Sequence, residues 1–145
     1  MFGARRAPRA ESELATMSVL LVDDNRTFLR ILTEFLSEHG EGALQVVGSV
    51  VGGQDAVAQA QRLTPDVILV DLKMPDVPGL QLLPQLRRTL PDAILIALSL
   101  RDPDECRDDT LAAGADAFVS KASLECDLLP AIQRLASHEP RLSGA

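Results

Sequence analysis

Apolar positions along this chain follow two alternating rhythms, short aliphatic runs and longer stretches repeating every three to four residues. Ser18 to Val22 is a run of strand length; Phe28, Ile31, Leu32, Phe35 and Leu36 then recur at helical spacing, closed by Gly40 as a C-terminal cap. Leu44 to Val50 predicts the second strand. A helix from about Gln54 to Leu63 follows and stops before Pro65, and Val67 to Val70 is the third strand. Leu80, Leu83 and Leu86 mark a third helix, which Pro84 should kink or delay. Ala93 to Leu98 is the fourth strand.

The next helix carries the strongest start signal: Asp102 as N-cap, Pro103 at the first helical position, and Asp104 and Glu105 in the positive first turn. Its apolar face is thin, with Cys106, Thr110, Leu111 and Ala113, so it should be the least firmly held helix. Ala115 to Val119 is the fifth strand. A last helix runs to about Ser137, where Pro130 is tolerable if Asp127 is the cap and the ring falls in the first turn. Five strands alternating with five helices, several strands apolar throughout, predict an α/β fold with a five-stranded parallel sheet covered on both faces. Right-handed crossovers favour the doubly wound, flavodoxin-like (βα)5 arrangement with strand order 2-1-3-4-5.

At 145 residues, 46% hydrophobic and 24% charged, the chain has the size and balance of one ordinary globular domain. The folded unit is expected over residues 17–139, with a flexible extension over 1–16 and a tail over 140–145. The formal net charge is -7, and because Arg5, Arg6 and Arg9 sit in the extension, 11 basic residues face 19 acidic ones from Met17 onward. Such a surface is poorly suited to gripping nucleic acid. The longest apolar runs, Ile94 to Leu98 and Val67 to Val70, fall far short of the roughly 20 residues of a membrane span, and residues 1–16 lack the apolar stretch of a secretory signal. Cys106 and Cys126 have no partner at metal spacing and read as free thiols in a reducing cytoplasm.

Chemistry collects at the carboxyl ends of the predicted strands. The first ends in Asp23 and Asp24, the third in Asp71, the fourth in Ser99, and the fifth in Ser120 and Lys121. Taken singly, each has a plain structural use as a helix cap, a turn residue or a solvated charge. Together they lie where ligands bind in sheets of this kind, outside the carboxyl ends and near the reversal of strand order. Three carboxylates so close need a cation, and an all-oxygen set without His or Cys suits Mg²⁺ or Mn²⁺. A carboxylate with an ordinary pKa of roughly 3.9 is already ionised at neutral pH, so Asp71 could attack phosphorus without a base, while Ser99, Lys121 and the cation hold the transferring oxygens.

With those residues in view, "VLLVDDN", "VDLKMPDVPGL", "ALS" and "GADAFVSKASL" jointly resemble the receiver domain of two-component response regulators over Met17 to about Ser137, and most closely the NarL/FixJ type. The resemblance implies that Asp71 accepts phosphate from a histidine kinase or phosphotransfer protein. It also implies that Asp24 ligates Mg²⁺ directly, Asp23 mainly through water, and the Lys73 backbone carbonyl completes the set. Ser99 would bond the phosphoryl oxygen, Lys121 would pair with it, and Phe118 would turn inward as Ser99 moves. Output would pass to another protein or to a second copy through the face of the fourth helix, fifth strand and fifth helix. Ala122 stands where the family often has proline, so a cis Lys121–Ala122 peptide would lack proline's reduced cost.

The expected function is thus a cytoplasmic phosphoacceptor signalling domain, an enzyme only toward its own phosphorylation and dephosphorylation, either standing alone or as the receiver part of a DNA-binding regulator. An atypical receiver acting as a phosphorylation-independent interaction module is the alternative. A phosphohydrolase of the haloacid dehalogenase type would need a second Asp two residues after its nucleophile, where this chain has Lys73 after Asp71 and Asn25 after Asp23. No Gly-rich phosphate-binding loop follows any strand, which argues against a flavin or nucleotide binder.

Overall fold

A computed structural model describes residues 16–137. The chain runs β1 (Met17–Asp23), α1 (Arg26–His39), β2 (Leu44–Val51), α2 (Ala56–Leu63), β3 (Val67–Asp71), α3 (Gly79–Thr89), β4 (Ile94–Ser99), α4 (Pro103–Ala112), β5 (Ala117–Ser120), a single 3-10 turn (Lys121–Ser123) and α5 (Leu124–Ala136). All strand pairs are parallel and the sheet order is β2-β1-β3-β4-β5, the order expected. The expected extension, Thr16 aside, and residues 138–145 lie outside the described residues.

Side chains alternate across each strand, so every strand feeds two cores. Val19, Leu21, Val67, Leu69, Ile96 and Leu98 pack under α1 and α5, against Leu29, Leu32, Leu36, Leu128 and Ile132. Leu20, Val22, Ile68, Val70, Leu95 and Ala97 face the other way, against Ala56, Ala60, Leu82, Leu83 and Leu86 of α2 and α3 and Cys106 of α4. Both faces of β3 and β4 are buried, which is why their sequences are aliphatic without alternation. β2 lies at the sheet's edge and is largely half-exposed or exposed.

Helix faces depart from the expectation in two places. In α1 the buried line is Leu29, Leu32 and Leu36, while Phe28 and Phe35 are half-buried and Ile31 is 54% exposed. At about 100° per residue Ile31 points well away from that line. In α3 the buried residues are Gly79, Leu82, Leu83 and Leu86, and Leu80 is exposed. Pro84 does not delay this helix, which begins five residues earlier. The donor it lacks would have reached the carbonyl of Leu80, an exposed residue where water can take its place.

The start of α5 also differs. Ser123, not Asp127, is its N-cap, and Pro130 lies beyond the first turn on the exposed side. Asp127 instead accepts a 2.7 Å hydrogen bond from the Ser123 hydroxyl. The Asp102 cap of α4 is as expected, its side chain accepting from the Asp104 N–H at 2.9 Å. That helix buries only Cys106 and Thr110. Among the described residues no peptide bond is cis, Lys121–Ala122 included.

The contrast between α3 and α4 sets a stability test. Leu83→Ala opens a void in a fully buried position and should lower the unfolding free energy in urea by about 2–5 kcal/mol. Leu111→Ala on exposed α4 surface should stay within about 0.5 kcal/mol of the wild type. Equal losses at both positions would show that α4 is held as firmly as α3.

Candidate functional site

Parallel pairing brings the carboxyl ends of β1, β3, β4 and β5 to one edge. Asp71 pairs in register with Leu98, and Ser99 with Ser120, so the polar residues begin where the apolar strands end. The Ser120 hydroxyl accepts from the Ala122 N–H at 3.1 Å and starts the turn that carries Lys121. The Lys121 ammonium then reaches back across the edge, 2.8 Å from Asp23 Oδ2 and 3.3 Å from Asp71 Oδ1. Asp23, Asp24 and Asp71 each offer a carboxylate oxygen within 4.8 Å of the others; Asp23 and Asp71 are buried and Asp24 is exposed.

Each carboxylate is fixed by its own loop. Asp23 Oδ1 accepts from the Asn25 N–H at 2.9 Å, and Asn25 Oδ1 in turn caps α1 by accepting from the Phe28 N–H at 3.0 Å. Asp71 accepts a backbone hydrogen bond from Lys73. Behind it, Gly79 packs so closely that a Cβ would lie 2.8 Å from the Asp71 carbonyl oxygen and 2.6 Å from Leu72 Cα. Burial first, and then the adjacent Asp23 carboxylate, push Asp71 above its ordinary value of 3.8; Lys121 and the Lys73 N–H pull it down without winning.

Ser99 occupies the adjoining strand end, buried, with its hydroxyl accepting from the Arg101 N–H at 3.0 Å across the β4–α4 loop. Phe118 sits opposite Ala97 and is buried in the core under α2, α3 and α4, the inward position that the resemblance reserves for the switched state. The Lys73 side chain is exposed.

Two contributors escaped the sequence reading. The Phe28 ring lies under the Lys121 ammonium, 4.1 Å from centroid to Nζ. Asp76, in the loop after β3, accepts from the N–H groups of Gly53 (3.1 Å), Gln54 (3.0 Å) and Val77 (2.8 Å), tying that loop to the one after β2. These bonds, that of Gly53 foremost, hold Asp76 below the ordinary carboxylate value. A Cβ on Gly52, whose φ is +90°, would fall 2.7 Å from Asp76 Oδ2. The Gly52-Gly53 pair was the available signal, but its partner lies more than twenty residues away.

The family model of the response regulator receiver domain matches residues 19–133, which reach into all five strands and include the whole site. The chain belongs to that family. A protein-glutamate methylesterase/protein-glutamine glutaminase of Alkalilimnicola ehrlichii is 39% identical over 104 residues, 70% of this chain and 26% of that protein. The response regulator protein VraR of Staphylococcus aureus is 31% identical over 126 residues, 86% of this chain and 58% of that protein. The receiver therefore spans about a quarter and somewhat over half of these two relatives. The response regulator domain of Thermotoga maritima CheB superposes with a TM-score of 0.77 at 26% identity, covering 86% of this chain and 99% of that one. Receiver domains bind Mg²⁺ at an acidic pocket, and the three carboxylates here form a pocket able to hold a metal.

The raised pKa of Asp71 has a measurable consequence. Folding disfavours its ionised form, so stability increases as pH falls through the raised value toward 3.8. In metal-free buffer at pH 7, Asp71→Asn should melt above the wild type, because Lys121 keeps Asp23 at 2.8 Å, and the gap should close in that same acidic window. A mutant that melts no higher at pH 7 would show that Lys121 fully offsets the burial of Asp71.

Proposed function

We propose that Asp71 is the phosphoacceptor of this receiver, taking a phosphoryl group from a histidine kinase or phosphotransfer protein in a Mg²⁺-dependent reaction. The observation that carries this reading is the convergence of Asp23, Asp24, Asp71 and Lys121 at one sheet edge, with Lys121 bridging two buried carboxylates. Asp23, Asp24 and Asp71, with the Lys73 carbonyl, would hold the metal, Asp24 directly and Asp23 mainly through water. Mg²⁺, or Mn²⁺ in its place, supplies positive charge to the phosphoryl oxygens and relieves the repulsion among the carboxylates.

The chain's own groups carry the remaining steps. An Asp71 carboxylate oxygen forms the new bond to phosphorus as the donor's P–N bond breaks, and that bond's electron pair leaves with the imidazole nitrogen. With acetyl phosphate the broken bond is P–O, and acetate leaves with the pair. Lys121, already 3.3 Å from Asp71, moves its ammonium onto a phosphoryl oxygen. Ser99 turns its hydroxyl from the Arg101 N–H to another phosphoryl oxygen, a shift that the inward Phe118 already accommodates.

This chemistry is confined to the chain's own aspartate, and the domain signals by contact rather than by turning over other substrates. Output passes to another protein or a second copy through α4, β5 and α5, where α4 buries little and Leu100 and Leu111 are exposed. The domain works in the cytoplasm, in keeping with free Cys106 and Cys126; no helix of the described residues is long and apolar enough to cross a membrane.

Intact-protein mass spectrometry after incubation with acetyl phosphate should show a Mg²⁺-dependent gain of one phosphoryl mass, absent in Asp71→Asn. A gain that persists in the mutant moves the acceptor elsewhere, and a folded wild type without any gain sinks the reading. Mg²⁺ alone should raise the wild-type Tm by mass action, and Asp24→Asn should lose most of that shift. An unchanged shift in Asp24→Asn would remove it from the ligand set.

A further inference from the structure

We propose that Phe28 is a positioning residue for Lys121: the face of its ring holds the ammonium in line with Asp71 during phosphoryl transfer. The inference rests on the phosphoacceptor reading above and extends it to a residue on α1 that the sequence assigned to the core.

Three groups surround the Lys121 ammonium. Two are carboxylates, Asp23 at 2.8 Å and Asp71 at 3.3 Å, and the third is the Phe28 ring, with its centroid 4.1 Å from Nζ. That distance is well inside the roughly 6 Å over which a ring quadrupole attracts a cation, and the Lys121 side chain is only 13% exposed, so water does little to weaken the attraction. The two carboxylates do not stay constant through the reaction. Asp71 gives up its carboxylate charge when its oxygen bonds to phosphorus, and Asp23 divides its charge with whatever cation the site takes up. The ring is the one contact of the three that neither event alters. It therefore matters least in the resting domain and most while the ammonium turns from Asp71 to the incoming phosphoryl oxygens.

Local structure shows how the ring comes to be there. Asp23, Asn25 and Phe28 lie on one turn: Asp23 Oδ1 takes the Asn25 N–H and Asn25 Oδ1 takes the Phe28 N–H. The turn that presents Asp23 to one side of the ammonium thus also sets the first helical turn, from which the ring reaches the other side. Phe28 is half-buried at the margin of the core under α1 and α5, off the Leu29, Leu32 and Leu36 line, and its ring face is turned to the ammonium.

Ring electronics can be varied almost independently of size. In the full chain, phenylalanines bearing one, two and three fluorines at position 28 withdraw charge from the ring face step by step. With acetyl phosphate and Mg²⁺ the rate of phosphoryl gain should fall with each fluorine, by roughly twofold to fivefold across the series. Phe28→Tyr should retain the wild-type rate, Phe28→Leu should fall to about the trifluorinated level, and Tm should stay level across the fluorinated series. The ¹H–¹⁵N signal of the Lys121 ammonium should broaden in the same order through faster exchange with water. A flat rate across the series, in a wild type that is phosphorylated and slowed by Lys121→Ala, overturns the role of Phe28 while leaving the phosphoacceptor reading intact. A wild type that takes up no phosphoryl group overturns both.

Discussion

Two buried carboxylates share one ammonium at the carboxyl edge of the sheet, and the architecture of the domain is what makes that arrangement possible. Asp23 and Asp71 end neighbouring central strands, so pairing β1 with β3 forces their charges together. Left alone, each would face burial and the other's repulsion, costs of several kcal/mol for an unpaired ion. Lys121 answers both, yet it comes from 98 residues beyond Asp23. Only closure of the sheet through β3 and β4 to β5 delivers it. The site is therefore complete only when the fold is, and a strand out of register would leave a buried carboxylate without its cation.

That compensation is partial, and the two notable carboxylates of the site and its loops differ accordingly. Asp76 is held by backbone N–H groups from two loops and stays ionised readily; Asp71 is buried and crowded, and its proton is retained more readily. On acidification Asp76 loses a favourable state and Asp71 an unfavourable one, so their contributions to stability have opposite signs. The loop after β3 is thus anchored by a satisfied acid while the strand before it ends in a dissatisfied one. A divalent cation or a phosphoryl group at this edge would find a carboxylate whose charge the protein alone does not fully accommodate, at the end of the strand that runs into the loop Asp76 keeps in place.

Much of this was legible from aliphatic runs. β1, β3 and β4 announce themselves because strands buried on both faces admit little besides Val, Leu and Ile, and their order follows from handedness. Helix faces were read less well. In α1, Phe28, Ile31 and Phe35 compete with Leu29, Leu32 and Leu36 at the same spacing, and only packing on β1 decides that Ile31 stays exposed. The two helix-interior prolines are tolerated for one reason: the carbonyls they leave without a donor, those of Leu80 and Cys126, belong to exposed residues and can turn to water. The site's edge residues were recognisable by position after each strand. Asp76 and the Phe28 ring were not, because each acts on a group distant in the chain.

The Ser99 hydroxyl links this edge to the rest of the molecule. It now satisfies the Arg101 N–H, the backbone that leads into the Asp102 cap of α4. On the phosphoacceptor reading the same hydroxyl turns to a phosphoryl oxygen, and Arg101 then loses its acceptor. Arg101 is exposed, so water can take up the freed N–H while the loop follows the hydroxyl. The helix that follows resists little, since Cys106 and Thr110 are its buried residues and the Thr110 hydroxyl bonds within the helix, to the Cys106 carbonyl. A firmly packed α4 would absorb the shift locally. A thin one lets a single hydroxyl's change of partner displace a whole surface element, which is the physical requirement for a domain that signals by the shape of one face.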